Sequence, residues 1–245
     1  MAHLFLSRPR LFHIKKAPHE SDEHHRWEII KTSIYMLGGL VYLIGSVFYF
    51  PVFTQYAQMG AWIFVCGSFL YFVAAAHDML EVMHHHGTQN GWSLETVLER
   101  AAAAVYLAGA LLFISSRILF LFGDVFSAPA HYSVIAGSVL FVIGACVNIM
   151  QIVQSPSMLT LQLMNFTAVS FVAGSLLFTV ASVPYIWHIE RGMDQRILYI
   201  YLAWQYLIGS ALFLIGGVIN YWRIRLLHKG DVVSEPAPSR PMNSS

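Results

Sequence analysis

Charge is what this chain of 245 residues has least of. Asp, Glu, Lys and Arg together make up 11% of it, against about a quarter in soluble globular domains. A soluble fold of this length needs charged side chains to cover its surface, so that class is excluded. The 57% hydrophobic share and a mean hydropathy of +0.59 point to an integral membrane protein, with the lipid bilayer as its first partner. Cysteine is nearly missing too. Cys66 and Cys146 both fall inside apolar runs and are expected as buried thiols, not as a disulfide. A net charge of +1 lacks the one-signed excess that nucleic-acid binding uses, so no nucleic-acid partner is expected. Nothing in the sequence names a protein partner, and a homo-oligomer stays open. The first 32 residues are basic and precede any long apolar run, so the first span is expected to be an uncleaved anchor, not a signal peptide.

Apolar length is what the chain does have. Crossing the hydrocarbon core takes about 20 mostly apolar residues. Six stretches qualify: 33–53, 60–76, 101–122, 132–152, 161–187 and 197–222. The expected fold is all-α and polytopic, with six transmembrane helices arranged as three tandem two-helix hairpins. In this reading 1–32 is a cytoplasmic N-terminal segment and 33–86 the first hairpin. An interfacial connector covers 87–100, the second hairpin 101–156 and the third 157–227, and 228–245 is a disordered tail. Lys and Arg fix the orientation. Eleven fall on the side of the termini, while only Arg191 and Arg196 fall on the other. Both termini are therefore expected in the cytoplasm. Arg117, in span 3, is expected to reach the opposite interface with Asp124 as its partner.

The three hairpins read as copies of one another. The even spans align on a Gly-Ser pair: "WIFVCGSFLYFVAAAHDMLEV", "YSVIAGSVLFVIGACVNIMQI" and "WQYLIGSALFLIGGVINYWRI". The odd spans carry the related cores "YLIGSVFYF", "YLAGALLFI" and "FVAGSLLFT". From each even-span glycine (Gly67, Gly137, Gly209) a small residue follows at plus seven: Ala74, Gly144 and Gly216. At plus eleven stand Asp78, Asn148 and Asn220, and at plus fourteen Glu81, Gln151 and Arg223. With about 100° per residue these offsets share one narrow stripe. Small residues on such a stripe serve close helix packing, and polar residues on it face protein, not lipid.

This pattern resembles the YrhK-like family of short membrane proteins built on a two-helix unit with a Gly-Ser-x-Leu-Phe core. The resemblance implies three tandem copies of that unit over 33–225. It brings no catalytic residue or activity with it.

Three functional readings follow. The first is a small channel or transporter-like element with a cytoplasmic polar vestibule lined by Asp78, Glu81, Asn148, Gln151, Asn220 and Arg223. Rings of polar side chains are how channels select ions, and inter-helix hydrogen bonding is the competing use of the same residues. The second is a metal-dependent membrane enzyme or redox protein using His77, Glu81, His84 and His85, whose spacing puts imidazole and carboxylate on neighbouring faces of one helix. The third is a scaffold that binds partners through its tails. No cofactor is identified by the sequence. His77 is the one histidine clearly inside a span, with His131 and His188 flanking others, so bis-histidine haem is not expected.

Overall fold

The computed structural model describes residues 18–87, 94–150, 158–186 and 193–234. The described residues are helical, with no strand among them. Six long helices follow one another: α1 (Pro18–Val47), α2 (Ala57–Gly87), α3 (Leu94–Leu121), α4 (Ser127–Met150), α5 (Met158–Ser182) and α6 (Met193–Ser234). Short 3₁₀ turns at Pro51–Tyr56, Asp124–Phe126 and Val183–Ile186 complete three of the connections. All six are long and apolar enough to cross a membrane. At 1.5 Å per residue, even the shortest crossing segment, the 21 residues Ser127–Val147, spans about 30 Å, the thickness of the hydrocarbon core. The protein is a multi-pass membrane protein.

Several helices run past the apolar limits read from composition. α3 begins at Leu94, inside the expected connector, and α6 reaches Ser234, beyond residue 227. Backbone hydrogen bonding does not stop where hydropathy does, since Glu, Arg, Lys and Leu all favour helix. α3 ends where the chain needs a left-handed residue, Gly123 with φ 95°, the usual glycine stop.

Each helix packs on its neighbours in sequence, and α6 returns to pack on α1, which closes a ring. α1 shows how the sequence specifies this. Lys31, Gly38 and Gly45 are spaced by seven and turn toward α2, where a Cβ on Gly38 would meet Tyr71 at 3.3 Å and one on Gly45 would meet Phe64 at 2.7 Å. Thr32, Gly39 and Ser46, one residue on, turn toward α6. A Cβ on Gly39 would lie 3.0 Å from the Leu214 backbone, and the Ser46 and Ser210 hydroxyls are 2.9 Å apart. Two adjacent heptad rows on one helix thus serve two neighbours.

The glycine stripe therefore lies between helices, and large aromatic side chains fill the axis. Tyr42 of α1, Phe113 of α3 and Phe178 of α5 meet there, with ring centroids 5.8 to 6.4 Å apart. Tyr35, Tyr71, Phe171 and Phe213 stack beside them. A void of about 20 Å³ remains among these rings, room for about one water. The outward faces carry Leu37, Ile44, Phe69, Leu80, Val169 and Ile215, all exposed, as a lipid-facing surface requires. Cys66 and Cys146 are free and exposed on that surface, not buried as expected. An apolar run gives a thiol's depth in the chain but not which side of the helix it occupies.

Candidate functional site

The buried charged side chains gather at the two ends of the ring. The first cluster lies where α1 begins and α2 and α6 close. Asp78 and Glu81, one turn apart on α2, both face α1, and Lys31 of α1 sits between them. Its Nζ donates to Asp78 Oδ1 at 3.1 Å and to Glu81 Oε2 at 2.9 Å. Side-chain exposure is 12% for Lys31, 0% for Asp78 and 22% for Glu81. Water screens this group far less than a surface ion pair, so each charge depends on the others being present. Asp78 Oδ2 is buried without a hydrogen-bond partner, which leaves one acceptor in the cluster unused. Glu28, one turn before Lys31, acts electrostatically on both Lys31 and Arg223.

α6 reaches the same stretch of α1 from the other flank. Asn220 and Arg223 are almost fully buried. Arg223 donates from Nη2 at 3.0 Å and from Nε at 3.3 Å to Asn220 Oδ1. Asn220 in turn donates to Thr32 Oγ1 at 3.4 Å. Asp78 and Asn220, the plus-eleven residues of their spans, thus meet consecutive residues of α1. Asn148 lies on α4, but its side chain, like those of His84 and His85 and the whole of Gln151, falls outside the described residues.

His77 adjoins the acids, with its ring stacked on Trp27 at 5.5 Å and its Nδ1 buried without a partner. One ligand atom from each of His77, Asp78 and Glu81 lies within 4.8 Å of the others. Metal–ligand bonds of about 2.0–2.2 Å would draw such atoms to roughly 3.3 Å apart. The Lys31 ammonium already fills the cation position. A metal here has to contract the group and compete with that lysine for Glu81 and Asp78.

Lys31 is the residue the sequence analysis counted as an orienting charge and gave no role. The signal was present: it lies fourteen residues before Gly45, on the odd helix's own seven-residue row.

The second cluster is at the opposite end. Arg117 of α3 is 1% exposed, turned into the ring, not out to the interface as expected. Its position explains the difference. Ala103, Ala110 and Arg117 are spaced by seven and all are buried, so the guanidinium follows a small-residue row inward. Nη1 donates to the Tyr49 hydroxyl at 2.7 Å, and the guanidinium carbon stands 4.4 Å from the Phe64 ring centre and 5.7 Å from that of Phe120. The Asp124 side chain is outside the described residues. His131, expected to flank its span, is also buried, stacked on Tyr185 and edge-on to Phe120.

Residues 25–83, which take in the membrane part of α1 and nearly all of α2, match the model of the family described as YrhK-like protein. Lys31, Asp78 and Glu81 all fall within the matched segment. Neither a curated protein nor a solved structure matches the chain.

Proposed function

On the premise that 25–83 is a YrhK-like unit, we propose that the chain holds three copies of it and works as a small transporter-like membrane element. Its polar vestibule, lined by Asp78, Glu81, Asn148, Gln151, Asn220 and Arg223, opens at the cytoplasmic end, where both termini lie. Three copies are supported by the way the later hairpins close. A Cβ on Gly137 would lie 3.0 Å from Gly109 O, and one on Gly174 would lie 3.0 Å from Gly209 O. Seven residues after Gly137 and Gly209, Gly144 abuts Tyr106 and Gly216 abuts Phe171.

The observation that carries the transport reading is the Lys31–Asp78–Glu81 group, buried at one end of a ring whose middle is shut by Tyr42, Phe113 and Phe178. A permanently open pore does not fit that middle. An ion-exchanging site facing one side, with passage only when the rings part, does. Liposomes containing the purified protein test this. The expected result is a protein-dependent flux of a small ion whose selectivity changes in Asp78→Asn/Glu81→Gln. Absence of flux for Na⁺, K⁺, H⁺ and Cl⁻, or flux indifferent to those substitutions, would remove the reading.

A metal-dependent role is the second reading, favoured by the approach of His77, Asp78 and Glu81, with His84 and His85 following on α2. Lys31→Ala frees the cation position. It should raise zinc or manganese content in the purified protein, while no bound metal in either form excludes this reading.

A further inference from the structure

Arg117 is a buried cation with part of its hydrogen-bonding capacity unspent. Nη1 is satisfied by Tyr49, but Nε and Nη2 are buried with no hydrogen-bond partner. Those two N–H groups share one edge of the planar guanidinium, and that edge pairs side-on with two oxygens of a carboxylate or similar anion. Among the described residues no carboxylate pairs with Arg117. Arginine stays protonated in proteins, so the charge cannot be relieved by losing a proton.

The surroundings favour an anion over water alone. The ring faces of Phe64 and Phe120 cover the guanidinium, which stabilises the cation but leaves its edge open. His131, 6% exposed and edge-on to Phe120 at 4.8 Å, has its Nδ1 buried without a partner. In its Nδ1–H tautomer it adds a neutral donor near the same charge. Access is at hand: Tyr49 and Phe120, two of the side chains around Arg117, also line a cleft of about 360 Å³ between the ends of α1, α2 and α3.

We propose that Arg117 is the anchor of a binding site for a small oxyanion of the carboxylate or nitrate class. The site lies at the end of the ring opposite Lys31 and is entered from the cleft behind Tyr49 and Phe120. The anion takes the Nε/Nη2 edge as a bidentate ligand and neutralises the buried charge. This site is independent of the vestibule reading, because it lies at the other end of the ring and uses none of the vestibule residues.

The test uses the full chain in detergent with sodium formate, nitrate, chloride and gluconate at constant ionic strength. Thermal unfolding should rise saturably with formate or nitrate and much less with chloride or gluconate, because a ligand that binds the folded state alone stabilises it by mass action. Arg117→Gln should weaken this dependence at least about tenfold. Arg117→Lys, which keeps the charge but not the fork, should lose the preference for oxyanion over chloride. Equilibrium binding of radiolabelled formate to the wild-type protein gives a readout that needs no variant, and saturable binding displaced by nitrate is expected. The proposal is overturned if the wild type binds no formate, or if Arg117→Gln binds it equally well. It is also overturned if binding emerges only in Asp124→Asn, for then the chain's own carboxylate holds the edge.

Discussion

At the scale of single residues, Lys31 holds two carboxylates of α2 at once. Removing one member of a buried charge group strands the others, which costs about 3–5 kcal/mol. Lys31→Met should therefore lower stability by an amount in that range, read as a fall in the unfolding midpoint in detergent. The triple variant Lys31→Met/Asp78→Asn/Glu81→Gln should recover most of the loss, since neutral groups of similar shape no longer need a counter-charge. Failure of the triple variant to recover would mean that Lys31 acts through packing. The acids of this group were legible in the sequence because they end a repeated stripe. Their cation was not, because a lysine near a helix end reads first as an orienting charge. The side chain that answers Asp78 comes from 47 residues away, and no local pattern states that distance. Arg117 was misread for a related reason: its depth suggested the interface, and only the row through Ala103 and Ala110 told which way it turned.

At the scale of helices, the account rests on close backbone approach. Gly174 and Gly209 offer each other bare backbone, and a Cβ on Gly174 would meet Gly209 O at 3.0 Å and the Phe213 ring at 3.0 Å. A carbonyl oxygen within a helix cannot swing aside, so Gly174→Ala should force α5 and α6 apart and cost about 1–3 kcal/mol, as over-packed sites do. Gly137→Ala should behave alike between α3 and α4. Ala108→Leu, on the exposed side of α3, should stay within about 0.5 kcal/mol of the wild type. Unfolding midpoints for the three variants check this, and equal losses in all three would deny that the glycine rows are contacts. The rows were readable beforehand as places of close packing. Which neighbour each row met was not, because a stripe fixes direction around one helix and says nothing of the order of helices around an axis. The sequence reading turned the even-helix stripe toward the centre. In the fold the centre belongs to Tyr42, Phe113 and Phe178, whose volume closes the middle of the ring.

At the scale of the whole molecule, the number of crossings followed from composition alone, since a bilayer admits helices and closed barrels and little else. The orientation proposed here rests on the asymmetry of Lys and Arg and is open to a direct check. A reporter active only in the cytoplasm should be active when fused after Ser234, and one active only outside should be active when inserted at 187–192. Reversed activities would place the proposed vestibule on the other side. Closure of the ring by α1 against α6 is the feature that brings Lys31, Asp78 and Asn220 to one end, and the proposed vestibule depends on it. The most direct measurement is a cross-link across that seam. A Cβ on Gly39 would stand 3.3 Å from Leu214 Cβ, close to the spacing of about 3.8 Å in disulfides. In a background with Cys66→Ser and Cys146→Ser, the pair Gly39→Cys/Leu214→Cys should oxidise within one chain in the membrane and give a faster-migrating monomer that reducing agent reverses. Cross-linking only between chains, or none at all, would contradict the closed six-helix ring.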